Sequence, residues 1–237
     1  MLEAMSKAGF KAQSAEDLHE KIRLYHMDVP PRKGGRKTYH VENWCMMNFL
    51  YNLIYMGYLK FPLEVSPKEM PDFVIKYIDY KIGIEITELI PKNIARYCSH
   101  KDIVPICIEL FNESCDDKVF DKLLKYPECT SGWTGEEAEE KFLDMLASAI
   151  NHKLNRLKKY TIYNKNWLLI YDNTGLSLFV DNNRDSYIYK SIHKKYINMI
   201  CNREIKFDNI WIIYKSKIIE MDINGFRLHA FNNIMKP

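Results

Sequence analysis

Asp72 stands at the head of one apolar run of the chain, and Glu85 lies inside another. A buried carboxylate is costly unless a cation compensates its charge, and two neighbouring carboxylates repel each other. Hard divalent ions such as Mg²⁺ prefer oxygen ligands and keep some of their water. The pair therefore indicates a Mg²⁺ or Mn²⁺ site. The alternative is that Asp72 begins a turn and Glu85 is a solvent-facing strand residue.

The pattern of apolar residues around this pair predicts a β-hairpin with strands at 74–78 and 81–87. A tight turn between them pairs Val74 with Glu85. In that register Asp72 and Glu85 are diagonal neighbours on one face, roughly 7 Å apart at Cβ. The opposite face is apolar and is expected to be buried: Phe73, Ile75, Tyr77, Ile82, Ile84 and Ile86.

Two predicted helices bring further charged groups towards this pair. A helix over 42–58 places Glu42 at the edge of its apolar face. A longer helix over 134–160 is acidic at its start and basic at its end, which stabilises it, and Lys153 falls within its apolar stripe. Lys153 is therefore a candidate to reach the sheet. The alternative is a lysine whose stem covers apolar surface while its ammonium stays in water.

The elements that position these residues follow the order helix, three-stranded antiparallel meander, helix and strand. A further helix and a closing pair of strands come after them. This order indicates an α/β sandwich with a mixed sheet covered by helices on both faces. The predicted strands span 61–65, 72–78, 81–89, 166–172, 209–215 and 217–223, and the last helix spans 189–202.

The chain of 237 residues is 47% hydrophobic, which suffices for one sizeable core. We expect a single domain over 41–237, with an irregular insertion at about 91–132. Residues 1–40 are expected to form a peripheral arm, with a short helix over 15–25 and a basic segment rich in Pro and Gly.

Composition also narrows the class of protein. The N-terminus lacks the apolar core of a signal peptide, the six cysteines form no close pairs, and no apolar run approaches the roughly 18 residues of a membrane span. We therefore expect a cytoplasmic protein with reduced thiols and no membrane partner. Four residues that could bind zinc do not follow a usual spacing: Cys98, His100, Cys107 and Cys129.

The Pro71-Asp72-Phe73 segment, the GIEIT segment at 83–87 and the preceding helix with Glu42 resemble the PD-(D/E)XK, or restriction endonuclease-like, nuclease superfamily. The resemblance covers roughly residues 42–172. It implies a core of one helix, three strands, a helix and a strand, elaborated at its ends.

The resemblance also implies site residues. Asp72 and Glu85 would bind Mg²⁺ or Mn²⁺, and Glu42 would bind or organise a metal ion. The lysine expected two residues after Glu85 is replaced by Thr87, so Lys153 would supply the cation and Thr87 would orient water. In this mechanism the ion polarises the phosphate and lowers the pKa of bound water, and the lysine stabilises the developing charge.

DNA is the expected substrate, in restriction, phage defence or DNA processing. Either a partner protein or homodimer is expected to assist recognition, or the specificity is modest. Two basic clusters are candidates for contacting the DNA backbone, although both also fit an ordinary solvated surface. They are Arg32, Lys33, Arg36 and Lys37 in the arm, and Lys190, Lys194, Lys195, Arg203 and Lys206 around the last helix.

Two other functions remain open. The chain could keep the nuclease fold without catalysis and serve as a nucleic-acid-binding or assembly module. It could also be an unrelated α/β protein that binds only other proteins.

Overall fold

The structure is a computed structural model that describes residues 9–24, 29–30, 32–100, 118, 121, 137–176, 187–215 and 217–230. In these residues the chain forms an α/β fold with one mixed eight-stranded sheet and five α-helices. The prediction of an α/β class is therefore confirmed.

The strands are β1 (Phe10–Ala12), β2 (Leu63–Pro67), β3 (Phe73–Lys76), β4 (Lys81–Leu89), β5 (Lys165–Asp172), β6 (Asn209–Tyr214), β7 (Lys217–Asp222) and β8 (Gly225–Ala230). The helices are α1 (Ala15–Leu24), α2 (Thr38–Tyr55), α3 (Lys92–His100), α4 (Glu137–Leu157) and α5 (Tyr187–Ile200), and a short 3₁₀ helix spans Arg32–Gly34.

The eight strands lie in the sheet in the order in which they occur in the chain. The pairs β4–β5 and β5–β6 are parallel, and all other neighbouring pairs are antiparallel. Parallel neighbours need a crossover connection, and α4 and α5 lie within the two crossovers. The centre of the sheet is consequently parallel, and both of its flanks are antiparallel.

Helices cover both faces of the sheet. Strand β5 shows this most clearly, because Trp167 and Leu169 pack in one core with α1 and α2, whereas Leu168 and Ile170 pack in a second core with α4 and α5. Near-continuous burial of a central parallel strand follows from coverage on both faces. The predicted sandwich of helices around a mixed sheet is therefore confirmed.

Helix α4 matches its sequence prediction closely. Its buried side chains recur at helical spacing along one face: Ala138, Phe142, Leu143, Leu146, Ile150, Leu154 and Leu157. In the part of the chain that the structure describes, no helix is both long enough and apolar enough to cross a membrane.

The predicted register of the β3–β4 hairpin is wrong by two residues. Phe73 pairs with Ile84 and Val74 with Gly83, rather than Val74 with Glu85. The loop contains four residues instead of two, and it is closed by the Tyr77 N–H donating to the Tyr80 carbonyl at 2.9 Å. A shift of two residues leaves every side chain on its predicted face, because the side-chain period of a strand is two.

Residues 10–24, which the sequence analysis assigned to a peripheral arm, belong to the sheet and the core. Strand β1 pairs with β2 at the sheet edge, and Ala12, Leu18 and Ile22 are fully buried. The expected insertion at about 91–132 begins with α3 and otherwise lies almost entirely outside the described residues.

Candidate active site

The candidate site lies on β4 where β3 begins. Because Phe73 pairs with Ile84, Asp72 is level with Glu85 on the neighbouring strand. The Ile86 N–H has no strand partner on this side, and it donates to Asp72 Oδ2 at 2.6 Å. The backbone of β4 thus fixes the Asp72 carboxylate beside Glu85, on the face that α4 covers.

The Glu85 side chain is almost completely buried, with 4% of the residue exposed. One carboxylate oxygen, Oε1, accepts hydrogen bonds from Lys153 Nζ at 2.5 Å and from the Tyr160 hydroxyl at 2.7 Å. The other oxygen, Oε2, is buried and has no hydrogen-bond partner among the described residues. A buried carboxylate oxygen without a donor is unusual and indicates a place for a further positive group.

Lys153 projects from α4 into the sheet. In addition to Glu85 Oε1, its ammonium donates to the Ile86 carbonyl at 3.1 Å, and only 13% of its side chain is exposed. The lysine therefore lies inward, as one of the two sequence interpretations predicted, rather than extending into water.

Burial and the neighbouring carboxylates both disfavour the charged form of Asp72. Burial, followed by the charges of Glu85 and Glu42, raises the pKa of Asp72 to about 7. Burial also raises the pKa of Glu42, and Lys153 partly opposes this shift. Glu42 from α2 therefore acts on the same site electrostatically, although it stands on the helix that packs against the other face of the sheet. Three carboxylates share one lysine, so the site has an excess of negative charge.

The oxygen atoms at this site suit a hard divalent ion. Asp72, the free Oε2 of Glu85 and the Ile86 carbonyl supply oxygen from three groups on adjacent strands. Among the described residues, no group of three or more His, Cys, Asp or Glu side chains is arranged to hold a metal ion. Mg²⁺ commonly uses one or two protein carboxylates and completes its octahedron with water and substrate oxygens, so two carboxylates are enough.

Thr87, which stands where the motif lysine is expected, was predicted to orient water through its hydroxyl. It lies two residues after Glu85, so its side chain is on the same face of β4, and it is partly exposed. Thr87 is therefore next to the carboxylate pair and partly accessible to solvent.

Arg32 and Arg36 are not part of a free basic arm. Both bind Glu88, with Arg32 Nη2 at 2.5 Å from Oε2 and Arg36 Nη2 at 3.0 Å from Oε1. Asn173 Nδ2 also donates to Glu88 Oε1 at 2.7 Å. The two arginines are thus held by a partner that the sequence analysis did not identify. The side chain of Lys33 lies outside the described part of the chain.

Two side chains of the second basic cluster also have partners on α4. Lys195 forms an ion pair of 2.5 Å with Asp144 of α4, and Arg203 donates to Asn151 and Asn155 of the same helix. These contacts attach α5 and the turn after it to α4. Other predicted nucleic-acid contacts have exposed side chains: Lys37, Lys190 and Lys194.

Tyr160 was not predicted as a site residue, yet its hydroxyl contacts Glu85. Helical spacing does not indicate this contact, because α4 ends at Leu157 and Tyr160 lies three residues beyond it. The turn after the helix brings the tyrosine to Glu85, and the apolar pattern of the sequence does not show where that turn leads.

Gly83 permits the close packing that positions Asp72. A Cβ atom at residue 83 would lie 2.7 Å from Tyr163 Cδ2 and 2.9 Å from Pro71 Cγ. Because Pro71 directly precedes Asp72, any displacement of its ring is transmitted to the carboxylate.

The Gly83→Ala variant is therefore expected to be destabilised by ~1–3 kcal/mol, as overpacked sites generally are. Urea unfolding measures this change in the free energy of unfolding. In a Tyr163→Ala background the same substitution should be less destabilising, because one of the two clashing groups is gone. Equal effects in both backgrounds would show that Tyr163 does not restrict this position.

Comparisons of the chain with protein-family models, with curated proteins and with solved structures find no match.

Proposed function

We propose that the protein is a metal-dependent nuclease that hydrolyses phosphodiester bonds of DNA. The observation that carries the proposal is the free, buried Oε2 of Glu85 beside Asp72, with Lys153 on the other carboxylate oxygen. The resemblance to the PD-(D/E)XK superfamily supports it, since α2, β2 to β4, α4 and β5 follow the order of that core. Mg²⁺ or Mn²⁺ bound there would act as a Lewis acid on the phosphate and activate a water nucleophile.

The residues of this chain have separate roles in the proposed reaction. Asp72 and Glu85 would hold the ion, and the Ile86 N–H keeps the Asp72 carboxylate in place. Glu42 adds negative charge that favours a cation at the site. Lys153 supplies a positive charge beside the site, which would stabilise the charge that develops on a phosphate in the transition state.

DNA is proposed as the substrate on the strength of that resemblance and of the exposed basic side chains. Phosphate contacts from lysine supply affinity that does not depend on sequence. Lys190 and Lys194 are exposed on α5, the neighbour of α4, and Lys37 is exposed just before α2. We therefore expect the protein to hold DNA mainly through the DNA backbone.

A cleavage assay tests the proposal. Purified protein should nick supercoiled plasmid in Mg²⁺ or Mn²⁺ and should lose that activity in EDTA. The Asp72→Asn variant, purified in the same way, controls for contaminating nucleases. Cleavage by the variant at the wild-type rate would contradict the proposed site. DNA binding without cleavage by the wild type would support the inactive, DNA-binding function instead.

A further inference from the structure

The Tyr160 hydroxyl lies 2.7 Å from Glu85 Oε1, the same oxygen that Lys153 contacts. We infer that Tyr160 is a positioning residue that orients the Glu85 carboxylate so that Oε2 faces the metal ion. The inference rests on the proposed function, because it assigns a role within that site.

Tyr160 lies three residues after the end of α4, in a turn that is tied back to the helix. Its N–H donates to the Leu157 carbonyl at 2.9 Å, and its ring is buried in the core beneath α4, with 6% of the residue exposed. A buried ring with a fixed backbone can present its hydroxyl in one direction only. Tyr160 is therefore suited to hold another side chain in place.

A difference between the two donors to Glu85, the Lys153 ammonium and the Tyr160 hydroxyl, supports this role. Lys153 cannot bind Glu85 and at the same time move fully towards a substrate phosphate. Tyr160 has no charge to offer the phosphate and stays with Glu85. When Lys153 turns to substrate, the Tyr160 hydroxyl is the donor that keeps Oε1 occupied and Oε2 directed at the ion. Hydrogen-bonded partners of metal-binding carboxylates commonly affect metal affinity by about 10–100-fold.

Calorimetric titration with MnCl₂ at pH 8 tests the inference on the full chain. Tyr160→Phe removes the hydroxyl and keeps the ring, and it is expected to weaken Mn²⁺ binding by at least ~10-fold. Tyr196→Phe is the matched control, because its buried hydroxyl donates at the same distance, 2.7 Å, to the Phe207 carbonyl away from the site. Its Mn²⁺ affinity should equal that of the wild type. Unchanged affinity in Tyr160→Phe would overturn the inference.

Two further readouts separate positioning from a purely structural contribution. In a Glu85→Gln background, adding Tyr160→Phe should change Mn²⁺ affinity no further, since the hydroxyl acts through the carboxylate. In cleavage assays the activity lost in Tyr160→Phe should recover as the Mn²⁺ concentration is raised, because the site is weakened rather than destroyed, whereas a misfolded fraction would stay inactive at every Mn²⁺ concentration. Absence of Mn²⁺ binding in the wild type would overturn the proposed function itself. Normal wild-type binding and unaffected Tyr160→Phe would overturn only this inference.

Discussion

The Asp72→Asn variant should be more stable than the wild type at pH 8 in the absence of metal, and inactive. In the wild-type fold, burial and the neighbouring carboxylates raise the pKa of Asp72 to about 7. Asparagine removes the charge while its amide oxygen can still accept the hydrogen bond from the Ile86 N–H. Each unit of pKa shift corresponds to about 1.4 kcal/mol. Because Asp72 is partly exposed and solvent screens its charge, we expect a smaller total gain of ~1–3 kcal/mol.

Most aspartates have a lower pKa in the folded protein than in the unfolded chain, whereas the pKa of Asp72 is higher in the folded protein. The effect of Asp72 on stability therefore has the opposite pH dependence. The folded-state pKa is higher than that of the unfolded chain, so between about pH 4 and pH 7 the folded protein binds a proton that the unfolded chain has released. The contribution of Asp72 to stability is present below the unfolded-state pKa and is lost as the pH rises through the folded-state pKa. The difference between variant and wild type should therefore be small at pH 4 and largest above pH 7.

Urea unfolding of both proteins at pH 4, 6 and 8 in EDTA measures this difference. Asp79→Asn, the same change in the exposed hairpin loop, is the control for the substitution itself, because it lies away from the carboxylate pair. Cleavage by Asp72→Asn should fall by on the order of 1000-fold, because the ion contributes several kcal/mol to transition-state stabilisation. A variant less stable than the wild type at pH 8 would show that the charge of Asp72 does not destabilise the fold.

The Lys153→Met variant is expected to change stability in the opposite direction. Among the described residues, it leaves Glu85, which is 4% exposed, with the Tyr160 hydroxyl as its one remaining hydrogen-bond donor. Breaking a buried ion pair by removing one partner typically costs about 3–5 kcal/mol. Because a bound cation can replace the lost ammonium, Mg²⁺ should stabilise the variant more than it stabilises the wild type.

Thermal unfolding of Lys153→Met with and without Mg²⁺ measures both effects. The control is Lys159→Met, which removes an exposed lysine after the end of the same helix and should behave like the wild type. Cleavage by Lys153→Met should fall by ~100–1000-fold, the usual result of removing a group that stabilises developing charge. Equal Mg²⁺ stabilisation of variant and wild type would place the ion away from Glu85.

Local periodicity predicted much of this arrangement. The apolar stripe of α4 predicted the helix itself. It also predicted that Lys153 lies inward, because a helix packs its apolar stripe against the sheet and Lys153 falls within that stripe. The alternation in β4 put Glu85 on the face opposite Ile84 and Ile86. The hairpin register was wrong, but the error of two residues preserved the faces and brought Asp72 level with Glu85 rather than diagonal to it.

Other features depend on tertiary contacts that one sequence does not display. Glu88 lies 56 residues from Arg32 along the chain, and nothing local to either residue indicates their ion pair. Strand β1 has only three residues and forms because β2 offers an open edge. Strand β8 had a local signal that was overlooked, since Asn224 and Gly225 form an Asn-Gly pair typical of a tight hairpin turn.

The central claim is that Asp72 and Glu85 hold a divalent ion beside Lys153. Crystals soaked in MnCl₂, with anomalous diffraction recorded to locate manganese, test it most directly. The account predicts one manganese peak in contact with both Asp72 and Glu85 Oε2, and none in crystals of the Asp72→Asn variant. A wild-type map without manganese between these carboxylates, with Lys153 still bound to Glu85, would contradict it.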